Sequence, residues 1–224
     1  LQQRLGEGAS GIIQQALWQP RQQPVAVKLY KGSMTSDGSP LNEMIASVAV
    51  GEHPNLIKVE GRLCDHPDGT AGLVMQLIDP SFLNLAGPPS FDSCTRDVYP
   101  DTLAFTPEVL LRMARGAASV AAQLHERGIN HGDLYAHNIL WRADGHCLLG
   151  DFGAAAFYPR DDGPTAQGLE RIEVRAFGLL LEEWLQRCEQ VPEGLWQLQR
   201  ECVQPEVSER PVFTDIVARL AEQP

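Results

Sequence analysis

Nothing in the 224 residues forms an apolar run near the roughly 20 needed to cross a bilayer, so no membrane span is expected. Basic residues are scarce: 18 Lys and Arg stand against 29 Asp and Glu, for a net charge of −11. A nucleic-acid or anionic-membrane surface needs clustered cations, so this balance argues against both partners. It leaves room for a phosphate site built locally from backbone amides and one lysine. The five cysteines, at 64, 94, 147, 188 and 202, are odd in number and include no CxxC pair. They read as reduced thiols, mostly in the core, of a cytoplasmic protein. An initiating methionine is missing too. Leu1 reads as part of a strand, so the chain is expected to be a domain of a longer protein.

An apolar content of 43% suffices for one compact unit, or for two small lobes around a cleft. The densest chemistry lies in His131-Gly132-Asp133-Leu134-Tyr135-Ala136-His137-Asn138, followed by Gly150-Asp151-Phe152-Gly153. Between them, two apolar stretches (139–141 and 147–149) flank Asp144-Gly145, which predicts a tight hairpin. A hairpin returns its ends to one place, so Asn138 and Asp151 should meet beside Asp133. Hard oxygen groups converging this way suit Mg²⁺ and phosphate chemistry. The alternative is a polar loop beside a strand pair.

Upstream, glycines 6, 8 and 11 fit a G-x-G-x-x-G pattern in Leu5-Gly6-Glu7-Gly8-Ala9-Ser10-Gly11, with Ile13 two residues later. Glycines admit backbone amides close to a polyphosphate, although a plain turn is the commoner meaning of such a match. Residues 12–18 read as a strand, not as the helix a dinucleotide fold requires at this point. Residues 24–30 alternate, with Ala26 and Lys28 on one side. Residues 41, 44, 45 and 48 have helical apolar spacing, and Glu43 lies on that helix; 32–40 reads as a flexible connection. A solvated glutamate and an exposed strand lysine are the bland readings of Glu43 and Lys28. Residues 79–105 form a long Pro-, Gly- and Ser-rich stretch at the cleft mouth, either substrate-shaping or inert. Thr106-Pro107-Glu108 starts a helix with apolar positions 110, 114, 117, 121 and 124, closed by Gly128.

Taken in order, these motifs resemble the eukaryotic-type protein kinase domain over nearly the whole chain. The loop motif with the Ser93-Cys94-Thr95-Arg96-Asp97 insert further resembles bacterial kinase domains attached to leucine-rich repeats, although no such repeat is in this chain. The resemblance implies an α+β, bilobal fold over 1–224. A small antiparallel β-sheet lobe with one helix and the hinge would span 1–78, and a reduced, mainly α-helical large lobe 79–224. It implies ATP and Mg²⁺ as cofactors and a protein hydroxyl, Ser or Thr, as acceptor. Asp133 would orient and deprotonate that hydroxyl, with Asn138 and Asp151 holding the metal. Lys28, paired with Glu43, would reach the α/β-phosphates. Leu5, Gly6, Glu7, Gly8, Ala9, Ser10, Gly11 and Ile13 would cover the nucleotide. Ala26 would pack on adenine, Met75 would be the gatekeeper, and the backbone of Gln76 and Ile78 would bond adenine.

There are departures from the family pattern. Gly132 replaces the arginine that senses a phosphorylated activation segment, so activity that is constitutive or controlled elsewhere is expected. Tyr135 replaces a lysine, for which His137 is the candidate stand-in. Glu173 takes the place of the aspartate that braces the catalytic loop. The Ala-Pro-Glu motif is missing; Glu170 is the candidate substitute partner for Arg210. Large-lobe helices are expected over 173–184 and 195–203 and from Phe213 on. A small-molecule kinase of the aminoglycoside or choline type, and a nucleotide-binding pseudokinase acting as an interaction module, stay open as alternatives.

Overall fold

The computed structural model describes residues 3–8, 10–32 and 39–223. Ala9 and most of the 32–40 connection lie outside the described residues. Five antiparallel strands come first: β1 (Gln3–Glu7), β2 (Gly11–Trp18) and β3 (Gln23–Tyr30), then β4 (Val59–Leu63) and β5 (Gly72–Gln76), with helix α1 (Pro40–Ala49) between β3 and β4. The sheet order is β1-β2-β3-β5-β4, so β3 is central and its residues are held on both sides. The register sets Lys28 opposite Ile13 on β2 and opposite Leu73 on β5, and Ala26 opposite Met75.

Helix α1 forms where the apolar spacing places a helix. Its Ser39 cap accepts from the Asn42 amide and Pro40 sits in the first turn, as a helix start requires. The buried face, however, is Pro40, Glu43, Ala46 and Ser47, while Leu41, Ile45 and Val48 are 58%, 48% and 60% exposed. The apolar periodicity identified the helix but not its inward face. The ion pair of Glu43 with β3 turns the opposite side to the sheet. The far end of α1 is tied to the large lobe, where Gln123 Nε2 and Arg127 Nη1 donate to the carbonyls of Val50 and Ala49 at 2.7 and 2.9 Å.

The rest is mainly helical. Strand β6 (Leu83–Asn84) precedes α2 (Pro107–Glu126); β7 (Ile129–Asn130), the hairpin β8 (Ile139–Trp141) and β9 (Cys147–Leu149), and β10 (Ala156–Phe157) come after it. Helices α3 (Gly163–Leu185), α4 (Glu193–Cys202) and α5 (Phe213–Ala221) complete the lobe. The expected stripe of α2, Leu110, Ala114, Ala117, Ala121 and Leu124, is buried against Phe177, Leu181 and Trp184 of α3 in one continuous core. Full burial of a leucine or phenylalanine contributes about 1.5–3 kcal/mol, so this core holds the loop of residues 131–138 on a rigid base. Helix α3 starts ten residues before the expected 173 because Pro164 presets the first turn and no further proline interrupts it.

Two expectations are corrected. Among the described residues Arg210 pairs with no carboxylate: its guanidinium donates to the main-chain carbonyls of Gln204, Arg171 and Pro205 at 2.8, 3.1 and 3.4 Å. Glu170 instead accepts from the Tyr158 hydroxyl at 3.0 Å, since Tyr158 comes just after β10 and is buried beneath α3. The cysteines are free but not mostly core. Cys147 and Cys202 are buried, whereas Cys64 and Cys94 are exposed outside helix and strand. Burial pushes both buried thiols up to about 12, which makes them poor nucleophiles.

Candidate active site

The predicted hairpin forms, with Ile139 opposite Leu149 and Trp141 opposite Cys147. It is seated by the turn after α1. Asn55 Nδ2 donates to the Cys147 carbonyl at 2.8 Å, and the backbones of Asn55, Ile57 and Leu149 exchange bonds of 2.8 and 3.2 Å. The two motifs therefore meet. Asn138 Nδ2 donates both to the carbonyl oxygen of Asp133 (2.9 Å) and to its Oδ2 (2.8 Å). Both amide hydrogens are thus committed to Asp133, which fixes the carboxamide and leaves Oδ1 as its acceptor face. Asp151 has φ +55, in the left-handed region, and its Oδ1 accepts from the Gly153 amide at 3.2 Å. Strain of this kind persists where the surroundings over-determine the backbone, and it aims the carboxylate across the cleft. There Lys28 Nζ lies 3.8 Å from Asp151 Oδ1 and 2.5 Å from Glu43 Oε1. Burial pushes the Glu43 carboxyl up, and the adjacent Lys28 ammonium opposes that shift.

The cavity lined by Ile13, Lys28, Glu43, Met75, Asn138 and Asp151 has a volume of about 220 Å³. Of the residues expected to contact nucleotide, Ile13, Lys28 and Met75 line it. Ala26 is buried on β3 beside Met75. Leu5, Gly6 and Glu7 lie on β1, Gly8 and Ser10 in the turn to β2, and Gly11 at the start of β2. Gly11 has a packing reason: a Cβ there would lie 2.5 Å from the Leu29 carbonyl oxygen. Gly6 and Gly8 face open space, with no atom within 4 Å of an added Cβ. The Gln76 amide donates to the Lys58 carbonyl at 2.9 Å, and Ile78 lies just beyond in the hinge. The side chain of Gln76 lines a larger concavity, about 620 Å³, behind the hinge with His53, Lys58 and Arg142. That space has a lysine–acid pair of its own, Lys58 with Glu52 at 3.1 Å, but none of Lys28, Glu43, Asn138 and Asp151 lines it; these four meet in the smaller one.

The residues present fit a magnesium ion better than any ion caged wholly by protein. Among the described residues no three His, Cys, Asp or Glu side chains cluster as a ligand set. One carboxylate and one carboxamide oxygen are the hard, sparse donor set of an ion that keeps waters and borrows phosphate oxygens.

Around Asp133 the supports come from distant parts of the chain. Glu173 of α3 is buried; its Oε1 accepts from the Gly132 amide at 2.9 Å, and its Oε2 lies 2.8 Å from His125 Nε2. This agrees with the bracing expected of it. Gly132 has φ +79, and a Cβ would lie 2.3 Å from the Ala154 carbonyl oxygen, so glycine is required there. Sequence reasoning missed Asp97. From the insert, its fully buried carboxylate accepts from the Ala136 amide at 2.8 Å and meets His137 Nδ1 at 2.5 Å. His137 Nε2 then lies 3.8 Å from Asp133 Oδ2. The hydrogen bond to Asp97 raises the imidazole above its ordinary range, against a lowering by burial. Next to it, Arg96 stacks over Tyr135 with its guanidinium carbon 4.4 Å from the ring centroid. The available signal was an Arg-Asp pair followed by apolar Val98-Tyr99 inside a stretch otherwise typical of loop.

The sequence profile described as protein tyrosine and serine/threonine kinase matches residues 1–179. The chain belongs to that family and has its α+β fold. It is 31% identical over 121 residues to the mitogen-activated protein kinase kinase kinase bck1 of Aspergillus fumigatus, covering 52% of this chain and 7% of that protein. It is 26% identical over 157 residues to the serine/threonine-protein kinase PITSLRE of Drosophila melanogaster, covering 69% of this chain and 16% of that one. The serine/threonine-protein kinase fray2 of Dictyostelium discoideum is 27% identical over 159 residues, 70% of this chain and 14% of that one. The chain thus spans well under a third of these relatives' lengths. No helix among the described residues is long and apolar enough to cross a membrane.

Proposed function

We propose that residues 1–224 are one protein kinase domain, with 1–78 as small lobe and hinge and 79–224 as large lobe, which transfers the γ-phosphate of ATP to a Ser or Thr hydroxyl of a protein. The observation that carries this reading is the convergence of Lys28, Glu43, Asp133, Asn138 and Asp151, from separate stretches of the chain, on one cleft. Asp133 is the base. Its carboxylate is 36% exposed, so it can reach an incoming hydroxyl, and Asn138 and Glu173 hold its loop in place. Lys28, oriented by Glu43, meets the α/β-phosphates. Met75 and Ala26 border the adenine site, the backbone of Gln76 and Ile78 bonds the base, and the turn from Leu5 to Gly11 with Ile13 closes over the phosphates. Asp151 and the Oδ1 of Asn138 would hold Mg²⁺, which when bound neutralises charge developing on the phosphates. The intact polar set and the kinase family support this reading over an inactive binding module.

Kinship with the leucine-rich-repeat-associated bacterial kinases rests on the combination of the loop motif with the Ser-Cys-Thr-Arg-Asp insert. With it go a repeat region as partner and a cytoplasmic location, where ATP is at hand. The decisive experiment measures ADP release and protein phosphorylation from Mg²⁺-ATP by wild type and Asp133→Asn. Turnover in wild type that drops by about 10²-fold or more in the variant is expected. Absence of turnover in both, with ATP still raising the melting temperature, would overturn the catalytic reading. Transfer to small alcohols but never to protein would move the assignment to a small-molecule kinase.

A further inference from the structure

A second concavity, of about 560 Å³, opens on the other side of the catalytic loop from the nucleotide cleft and shares no residue with it. Its walls include Arg96, Tyr135, Ile172, Arg175, Val207 and Arg210. On a chain of net charge −11, three arginines and no acid lining one hollow is the reverse of the background. Their charges are poorly compensated. Among the described residues only Arg96 has a carboxylate within 4 Å, Glu183 at 3.8 Å, and that acid also accepts from the Tyr99 hydroxyl. The Arg96 Nη1 is buried without any hydrogen-bond partner. Arg210 is a buried cation held only by main-chain carbonyls. Arg175 is exposed on α3 two residues beyond the bracing Glu173, with no ion pair among the described residues. Ile172, 61% exposed, and Val207, 37% exposed, add an apolar rim.

The hollow is next to the chemistry. Tyr135, in its wall, has its ring 5.4 Å from that of His137, whose Nε2 is 3.8 Å from Asp133 Oδ2. The exposed Arg175 and the partly exposed Arg96 offer guanidinium groups at this hollow, with the charge of buried Arg210 behind them, and guanidinium groups recognise carboxylates by charge-assisted hydrogen bonds. We infer that this hollow is an acceptor subsite that takes an Asp or Glu side chain of the protein substrate, so the enzyme prefers hydroxyls flanked by acidic residues. At about 3.4 Å per residue of extended chain, the acid would lie roughly two to four residues from the acceptor. This inference rests on the kinase reading and specifies its substrate class.

The test uses three synthetic peptides, each with one Ser and with Asp, Asn or Lys at the two to four positions on either side. They are offered to wild type, Arg175→Lys and Arg175→Glu. Wild type is expected to favour the Asp peptide over the Asn peptide by about tenfold or more in kcat/KM. Arg175→Lys should keep that order. Arg175→Glu should abolish it or reverse it towards Lys. Peptide-independent ATP hydrolysis should stay the same in all three proteins, since Arg175 touches no nucleotide-side residue. Equal use of Asp and Asn peptides by wild type, or a preference that survives Arg175→Glu, would overturn the inference. Binding of the same labelled peptides, tracked by fluorescence anisotropy, reads the hollow without turnover. If no peptide is phosphorylated, tighter binding of the Asp peptide that is lost in Arg175→Glu supports the subsite while the transfer reading fails. Equal binding of Asp and Asn peptides refutes the subsite.

Discussion

The two sides of the catalytic loop are built differently. On the nucleotide side, Lys28, Asn138 and Asp151 sit in short contiguous motifs, and each reaches the cleft by a strand or a tight hairpin. On the acceptor side no motif is contiguous. Asp97 and Arg96 arrive from the insert and Glu173 and Arg175 from α3, while Arg210 precedes α5. Each nucleotide-side group is therefore presented by a local element, and sheet register and one buried ion pair bring these elements together. The acceptor side is a tertiary one, in which side chains from the insert and from α3 support the loop.

This contrast can be broken at either end. The largest effect is expected on the nucleotide side. Lys28→Met removes the cation aimed at the phosphates and leaves Glu43 buried without its partner. ADP release should fall about 10²-fold or more, and the ATP-induced rise in melting temperature should vanish. If binding of an acidic peptide falls in parallel, the two sides are not separable.

Asp97→Ala addresses the acceptor side. It leaves the Ala136 amide and His137 without the carboxylate that holds them, at a cost of about 2–4 kcal/mol measured by urea unfolding. Turnover should drop about tenfold while the ATP-induced melting shift persists. Asp97→Asn keeps the shape and an acceptor oxygen, so its cost should be about 1 kcal/mol. A shift in ATP affinity as large as the loss in turnover would sink the division drawn here.

Gly132→Arg restores the residue common in the family, yet it should destabilise. The left-handed φ of +79 and the clash with Ala154 predict a loss of about 1–3 kcal/mol in chemical unfolding. Wild-type stability in this variant would mean that the loop relaxes and that the glycine reflects no steric need.

The smallest effect lies away from both sides. His53 bonds the Ser119 hydroxyl at 2.7 Å and accepts from the Asn55 amide at 3.0 Å, and burial lowers its affinity for a proton. A folded-state value below the unfolded ~6.5 means its contribution is whole above about pH 6.5 and is lost as pH falls through the lowered value. His53→Gln should flatten that part of the stability curve without changing turnover above pH 7. A curve that keeps its slope would assign the pH dependence elsewhere.

Legibility divided along the same line. The small-lobe strands, the hairpin, the Lys28–Glu43 pair and the helix under the catalytic loop were readable because each is encoded in neighbouring residues with a fixed period, a turn signal or a family motif. Glu173 was readable only through the family pattern. Asp97 was not, since the Pro- and Gly-rich composition of 79–105 says where a chain bends and nothing of what it binds. Periodicity marked α1 as a helix without saying which face is covered, and Leu41, Ile45 and Val48 face out. A pattern records which residues share a face, and packing partners decide which face is covered.

By itself, the sequence determined the order of the elements and the family, and it picked out Lys28, Asn138 and Asp151, which line one cavity, because local propensity, turn chemistry and strand register act over a few residues. Only the tertiary structure decided that Asp97 buttresses the catalytic loop, that Glu170 serves Tyr158 while Arg210 binds carbonyls, and that three arginines share one hollow. Those outcomes depend on which buried polar groups find each other across the core. Burial penalises an unpaired polar group, so most such groups take whatever partner the fold brings within reach.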